Sequence, residues 1–386
     1  MGAVLRADAA PPGHRQTPTG ARPGAAAGPH RTPGRRLVRH RRPDRRLVAL
    51  AERGSGMTTD RSHMTTDTPA PGTGGPRRRQ PRPRWPEGAR CAVVLTFTLD
   101  AELFWLRLHP SARQRPKTLS LGTYGILRGV PRLLDLLDAY ALPATWFVPE
   151  HTATHHPRAV RRIAAAGHEI AAAAPPVSGR TPDADVRDTW ARTVASLEAV
   201  TGVRPTGLRA APGVLGDGHA ALLDELGFLW SSSTHGDDRP HPLWSGGRPT
   251  PVMEVPWQWE YADHPYFLYN GAPVAFPPGE SRIAAYRDVL EDWKDSFDAY
   301  RDHGLCWVLA LDPQSIGKPG RALMLAELLD HIRAHDDVWC ATAGQVAEHW
   351  RRTAGPGPEP AGHPERVRAG WPSRIRRAPG ADPDAR

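Results

Sequence analysis

The stretch Cys91-Ala-Val-Val-Leu-Thr-Phe-Thr-Leu-Asp100-Ala-Glu102 constrains the fold more than any other. An apolar run that ends abruptly in a carboxylate reads as a buried strand. Side chains alternate along a strand, so Thr96, Thr98 and Asp100 share one face. In α/β proteins chemistry is placed at the C-terminal ends of such strands. Asp100 is therefore expected at the mouth of a parallel sheet or barrel, with Thr98 one step below it. Asp is also a common turn residue, so a cap on the next turn is the plain alternative.

Strand and helix patterns alternate downstream of this run. Helices are predicted over Pro131–Tyr140, Pro157–Ala166, Asp183–Val200, Gly218–Leu226, Ser281–Tyr300, Arg321–Ala334 and Gly344–Trp350. Strands are predicted over Ala144–Val148, His168–Ala173, Gly207–Arg209, Phe228–Ser231, Val252–Pro256, Leu305–Leu311 and Val338–Ala341. Such alternation predicts a parallel β/α barrel in a single domain, residues 86–353, with an open doubly wound sheet as the alternative. No Gly-x-Gly-x-x-Gly follows an early strand and no Gly-x4-Gly-Lys-Ser/Thr occurs, so nucleotide binding lacks support.

Charge separates this segment from its flanks. Residues 1–56 carry +9, as much as the whole chain; residues 57–85 add +4 and residues 354–386 add +2. Residues 86–353 therefore carry −6. The high pI belongs to the ends, which removes the main argument for a nucleic-acid-binding core. Segments 1–85 and 354–386, rich in Arg, Pro and Gly, are predicted disordered. Met57 and Met64 both open a Met-Thr-Thr-Asp piece, so either could be the start of translation. No apolar run reaches the roughly 18 residues of a membrane span, and no secretory leader is evident. A cytoplasmic protein is expected. Cys91, Cys306 and Cys340 lie in strand-like runs and read as buried thiols.

Several pieces in order resemble the polysaccharide deacetylase (NodB-homology, carbohydrate esterase 4-like) family, and within it the branch of peptidoglycan deacetylase-like, cyclic imide hydrolase and allantoinase-like proteins. They are Thr96-Phe-Thr-Leu-Asp-Ala-Glu102, Tyr124-Gly-Ile-Leu-Arg-Gly-Val-Pro-Arg-Leu-Leu-Asp-Leu-Leu137, Ala144-Thr-Trp-Phe-Val-Pro149, Ile163-Ala-Ala-Ala-Gly-His-Glu-Ile170, Thr201-Gly-Val-Arg-Pro-Thr-Gly-Leu-Arg209, Leu222-Leu-Asp-Glu-Leu-Gly-Phe228, Asp237-Asp-Arg-Pro240, Pro265-Tyr-Phe267 and Asp312-Pro-Gln-Ser-Ile-Gly-Lys-Pro319. The resemblance implies a deformed (β/α)7 barrel that hydrolyses a non-peptide C–N bond. The bond expected is in an N-acyl sugar or a small cyclic amide. It also implies a zinc ion held by one Asp and two His, a second Asp as general base, a late His as general acid and an Arg that orients the base.

Carried onto this sequence, that machinery is largely replaced. Asp100 falls at the ligand Asp and Arg209 at the orienting Arg. Thr98 falls at the base, and its hydroxyl accepts no proton near neutral pH. Ala173 and Val177 fall at the two His ligands, Asp312 at the late His, and Ala211 at a usual Pro. No metal or other cofactor is therefore expected. His168 begins its strand and so lies at the opposite end of the barrel; His235 could reach the mouth. Loss of both His ligands and the base predicts a loss of at least about a thousandfold in metal-dependent rate. Asp100 and Asp312 are expected to face each other with Arg209 between them, as a self-satisfied ion pair. Glu102, Trp257, Trp259, Asp263 and Tyr266 are the expected ligand contacts, with Trp105, Trp230, Tyr261 and Phe267 nearby as pocket or core. Two functions follow: an impaired enzyme or pseudoenzyme that keeps a pocket for a small molecule or sugar, or a metal-independent amide hydrolase built on Asp100 and Asp312. Neither needs a membrane or nucleic acid, and the sequence carries no reading of oligomeric state.

Overall fold

The structure, a computed structural model, describes residues 84–108, 110–174, 183–210, 215, 218–268 and 283–353. Both predicted disordered segments fall outside these, except Arg84 and Trp85. Trp85 packs into the core at 4% exposure and donates its indole N–H to the Gly304 carbonyl. Trp85 therefore packs with the barrel residues, one residue before the predicted boundary at 86.

In chain order the strands are β1 (Cys91–Thr98), β2 (Thr145–Val148), β3 (Glu169–Ala174), β4 (Gly207–Ala210), β5 (Trp230–Ser231), β6 (His241–Ser245), β7 (Arg248–Glu254), β8 (Cys306–Leu311) and β9 (Val338–Cys340). The helices are α1 (Glu102–Leu108), α2 (Pro116–Tyr124), α3 (Val130–Ala139), α4 (Glu150–His155), α5 (Pro157–Ala165), α6 (Asp183–Thr201), α7 (His219–Glu225), α8 (His264–Phe267), α9 (Tyr286–His303), α10 (Pro319–Arg333) and α11 (Ala343–Thr353). Seven strands run parallel in the order β7-β5-β4-β3-β2-β1-β8. This is the deformed (β/α)7 barrel that the sequence resemblance implies. Where β7 and β8 would meet, the chain beyond β7 runs past β8 and makes a parallel bridge, Ala262 to Ala310.

β1 has three partners. It pairs with β8 over Ala92–Phe97, with β9 over Cys91–Val93 and with β2 over Thr96–Thr98. Val93, Leu95 and Phe97 face the helices, where Phe97 stacks on Trp146 at 4.5 Å. Ala92 and Val94 face the barrel interior, filled by Phe147, Ala171, Trp230, Met253 and the α11 residues Ala343 and Val346. Thr96 and Thr98 continue that inward face. The interior is closed near the strands' N-terminal ends, where Thr145 Oγ1 and Glu169 Oε2 accept the Ala343 and Gly344 N–H groups at the start of α11. Above this plug the interior stays open, and the site lies there.

The sequence pattern does not predict α1, α2, α4, α8 or β6, and it sets the start of α9 differently. β6 and β7 form an antiparallel hairpin joined by Gly246 and Gly247, with φ of 56° and 73°. Two successive positive φ values are what a tight hairpin turn needs, and Gly supplies them without a Cβ clash. In addition, α9 starts at Tyr286 rather than Ser281, because Ala285 before it is extended.

Candidate active site

Strand ends and the loops beyond them bring Thr98, Asp100, Phe147, Ala173, Arg209, Trp257, Trp259, Asp263, His264 and Asp312 onto one cavity of about 410 Å³. Each catalytic position inferred from sequence therefore lies on a single wall system, except Val177 and Ala211, which fall outside the described residues.

Asp100 follows β1 and precedes Ala101, whose φ is +52°. That left-handed turn is unusual for a residue with a Cβ. It is held because Gly122 of α2 presses on it: a Cβ at Gly122 would come within 2.4 Å of the Ala101 carbonyl carbon. Asp100 Oδ1 lies 3.6 Å from Arg107 Nη1 of α1. Burial raises the Asp100 carboxyl above its usual range against the opposing charge of Arg107, with Asp312 adding to the rise.

Asp312 follows β8. Its Oδ1 accepts the Gln314 N–H at 2.8 Å, and its Oδ2 accepts the Gln314 amide at 2.9 Å. Gln314 is itself fixed by the Trp105 indole N–H at 2.7 Å. The loop is pressed from behind by the π-helical turn Gly125–Gly129: a Cβ at Gly129 would sit 2.2 Å from the Pro313 carbonyl oxygen. The third partner of Asp312 is His264, whose Nε2 lies 3.0 Å from Oδ2. His264 enters through the Ala262–Ala310 bridge, beside which Asp263 N–H donates to the Ala310 carbonyl and Asp263 Oδ2 accepts the Asp312 N–H. Burial alone would lower the His264 pKa. The hydrogen bond and charge of Asp312, with the charges of Asp263 and Asp100, overcome it and raise the imidazolium to about 9. Burial pushes Asp263 up to about 6, against the pull of His264.

Arg209 of β4 is 6% exposed and occupies the opposite wall. It donates to the Ser232 carbonyl at 2.9 Å, to Ser232 Oγ at 2.8 Å and to Thr96 Oγ1 at 3.0 Å. Its guanidinium lies over the rings of Phe147, at 4.0 Å, and Trp257, at 4.9 Å. Among the described residues no carboxylate lies within ion-pair distance of it. Burial lowers its pKa to about 9, countered by the buried Glu254.

The expected Asp100–Arg209–Asp312 ion pair is thus replaced by two separate pairs, Asp100 with Arg107 and Asp312 with His264. Arg209 is drawn away because two hydroxyls and a carbonyl fit its fork and two rings take its face. Of the expected ligand contacts, Trp257, Trp259 and Asp263 line the cavity. Glu102 instead bonds His156 and Thr123, and Tyr266 bonds Asp292; neither is among the cavity's lining residues. His235 bonds the Trp257 carbonyl and is likewise outside the lining. Trp230 and Phe267 are core. His264 was not singled out from the sequence, although it sits next to Asp263.

The donors at the mouth do not fit a zinc ion. Asp100 has a guanidinium beside it, Ala173 offers a methyl group on the wall, and His264 is engaged with Asp312. Among the described residues no three His, Cys, Asp or Glu donors of this cavity converge to coordination distance.

A deformed seven-stranded β/α barrel is the architecture of NodB-like deacetylases. Residues 124–229 match the family model for polysaccharide deacetylase. The chain is 37% identical to a solved structure from Mycobacterium smegmatis provisionally named a polysaccharide deacetylase, covering 72% of this chain and 98% of that one at a TM-score of 0.65. It is 25% identical to the PuuE allantoinase structure, covering 76% of this chain and all of that one at a TM-score of 0.61. It is 27% identical to the peptidoglycan deacetylase of Helicobacter pylori, over 66% of this chain and 94% of that protein. The chain belongs to the polysaccharide deacetylase family. Among its described residues no helix is long and apolar enough to cross a membrane.

Proposed function

We propose that this protein hydrolyses a small amide, in a cyclic amide or an N-acyl sugar, without a metal ion. The observation that carries the reading is His264 held against Asp312 on the same cavity as Asp100 and Arg209. A metal-dependent relative uses its ion to polarise the carbonyl and activate water. Here those tasks fall to side chains. Arg209 faces the cavity as a fixed cation for the carbonyl oxygen, whose charge grows as water adds. Asp100 takes the proton from that water. His264, positioned by Asp312, gives a proton to the departing nitrogen as the C–N bond breaks; Asp100 then releases its proton to solvent and His264 regains one from it. Thr98 and Ala173 supply wall, not chemistry. Phe147, Trp257 and Trp259 present ring faces, which suit a flat cyclic amide or a sugar ring. A volume of about 410 Å³ takes one such ring. The likeness to an allantoinase supports the small-ring side of this reading.

The test is turnover of cyclic imides, hydantoin-like rings and N-acetylated amino sugars in the presence of EDTA. His264→Gln is expected to lose roughly 10²–10⁴-fold in kcat, the span of a positioned acid. Ligand binding without turnover on any of these would favour the second reading, a binding module, for which the Asp100–Arg107 pair is the supporting observation because it occupies the carboxylate. EDTA-sensitive turnover would overturn both, provided circular dichroism shows the protein still folded in EDTA.

A further inference from the structure

We infer that a divalent transition-metal ion of the zinc class binds outside the barrel mouth, between α9 and α10, on Asp298, His331 and His335. The three donor atoms lie within 4.8 Å of one another. His331 sits in the last turn of α10 and His335 two residues beyond its end, and the two rings meet edge-on at 5.6 Å on one face. Asp298 meets that face from α9. Its Oδ1 is 2.9 Å from His331 Nε2 and 3.7 Å from His335 Nε2.

Two further observations separate this cluster from an ordinary surface ion pair. His335 Nε2 is shielded from solvent yet has no hydrogen-bond partner, since 3.7 Å is too long for one. A buried ring nitrogen of that kind calls for a partner, and a metal supplies it. The rings are also held in place. Phe297 stacks on His335 at 5.7 Å, with planes 22° apart, and meets His331 edge-on at 5.7 Å. A tetrahedral zinc with N and O ligands near 2.1 Å puts its donors roughly 3.4 Å apart, so small movements suffice. The side chains are about one quarter to one half exposed, which leaves an entry path and room for a water as fourth ligand. Two imidazoles and one carboxylate suit zinc, cobalt, nickel or copper rather than magnesium or calcium.

The site joins the helices that flank β8, the strand whose end carries Asp312. An ion there acts as a staple between α9 and α10, not as a reaction centre.

The experiment is titration of EDTA-stripped full-length protein with ZnCl2 by calorimetry, and with CoCl2 by visible absorption. Wild type and Asp100→Asn are expected to bind one equivalent, to show the intense d–d bands of tetrahedral cobalt, and to melt at higher temperature with zinc. His331→Ala and His335→Ala are expected to weaken zinc about a hundredfold and lose the bands. His331→Gln and His335→Gln, checked for folding by circular dichroism, serve if the alanine variants fold poorly. No binding by wild type would overturn the site and leave a plain Asp298–His331 pair. Binding kept in the histidine variants but lost in Asp100→Asn would place the ion at the mouth, overturning this inference and the metal-free reading of the active site together. Failure of EDTA-resistant turnover alone would leave the staple untouched.

Discussion

His264 Nε2 lies 3.0 Å from Asp312 Oδ2, although 48 residues separate them. The contact is made by one parallel bridge, Ala262 to Ala310, that lays the chain beyond β7 against β8. It holds a proton on an imidazole that burial would otherwise strip. Removing the carboxylate by Asp312→Asn leaves burial and takes away the main opposing influence. The His264 pKa is then expected to fall from about 9 toward or below the ordinary 6.5. NMR titration of the imidazole measures it directly. The alkaline limb of the pH–kcat profile is expected to move down with it, a change that a merely structural role for Asp312 would not produce.

The same shift has a sign for stability. His264 holds its proton more tightly folded than unfolded, so its contribution is complete below about pH 6.5 and is lost as pH rises through about 9. Asp263, raised from 3.8 to about 6, acts in the same direction at lower pH: the folded state loses ground as that carboxyl ionises between those values. The urea midpoint of the wild type is expected to fall between pH 6.5 and 9.5. His264→Gln is expected to show a smaller fall over that window. An equal fall in both proteins would contradict the assignment.

Asp312 also depends on a surface with no titratable group. Gly129 lets the π-helical turn lie against Pro313, where a methyl group would sit 2.2 Å from a backbone carbonyl oxygen that has no free rotation to yield. Gly129→Ala is expected to cost about 1–3 kcal/mol of unfolding free energy by overpacking, measured in urea. It is also expected to lower kcat by moving Asp312 and hence His264. Gly236, whose added Cβ would meet nothing within 4 Å, is the control position.

The barrel was legible because each of its signals is local. Apolar runs mark β1, β2 and β8, and Gly167, Gly227 and Gly304 stop helices at positive φ. The β6–β7 hairpin had a local signal too, the Gly246-Gly247 pair between Trp244-Ser and Arg-Pro, which the strand reading over Val252–Pro256 passed over. Asp100 and Arg209 could be placed at the mouth because both end parallel strands. Their partners could not. Arg107 reaches Asp100 only because Ala101 turns left-handed and swings α1 back over the strand end. His264 carries no periodic signal, and its meaning comes from a bridge between segments far apart in sequence. Thr98 and Ala173 could be placed on the cavity wall from strand position alone. The partners that Asp100, Asp312 and Arg209 take there are a matter of tertiary contacts.

Arg209 provides the sharpest separation of binding from folding. Its side chain donates to Thr96 and Ser232 and lies over Phe147 and Trp257, with no carboxylate at ion-pair distance among the described residues. A buried cation without a salt-bridge partner is costly to keep, but Arg209→Met also takes the donor away from the Ser232 carbonyl and from the Ser232 and Thr96 hydroxyls. Arg209→Met is therefore expected to cost about 1–3 kcal/mol in urea while the protein still folds. The same change removes the fixed cation facing the cavity. A hydrogen bond to a charged group contributes about 1.5–3 kcal/mol, so affinity for a ring amide bearing a carbonyl is expected to drop roughly 10- to 150-fold, read by calorimetry. Arg209→Lys keeps the charge but loses the fork that reaches Thr96 and Ser232 and the flat face on the two rings. It is expected to recover little of the lost affinity. Full recovery by lysine would mean that charge alone sets recognition. A large loss of stability in Arg209→Met with unchanged ligand affinity would instead make Arg209 a structural member of the barrel interior.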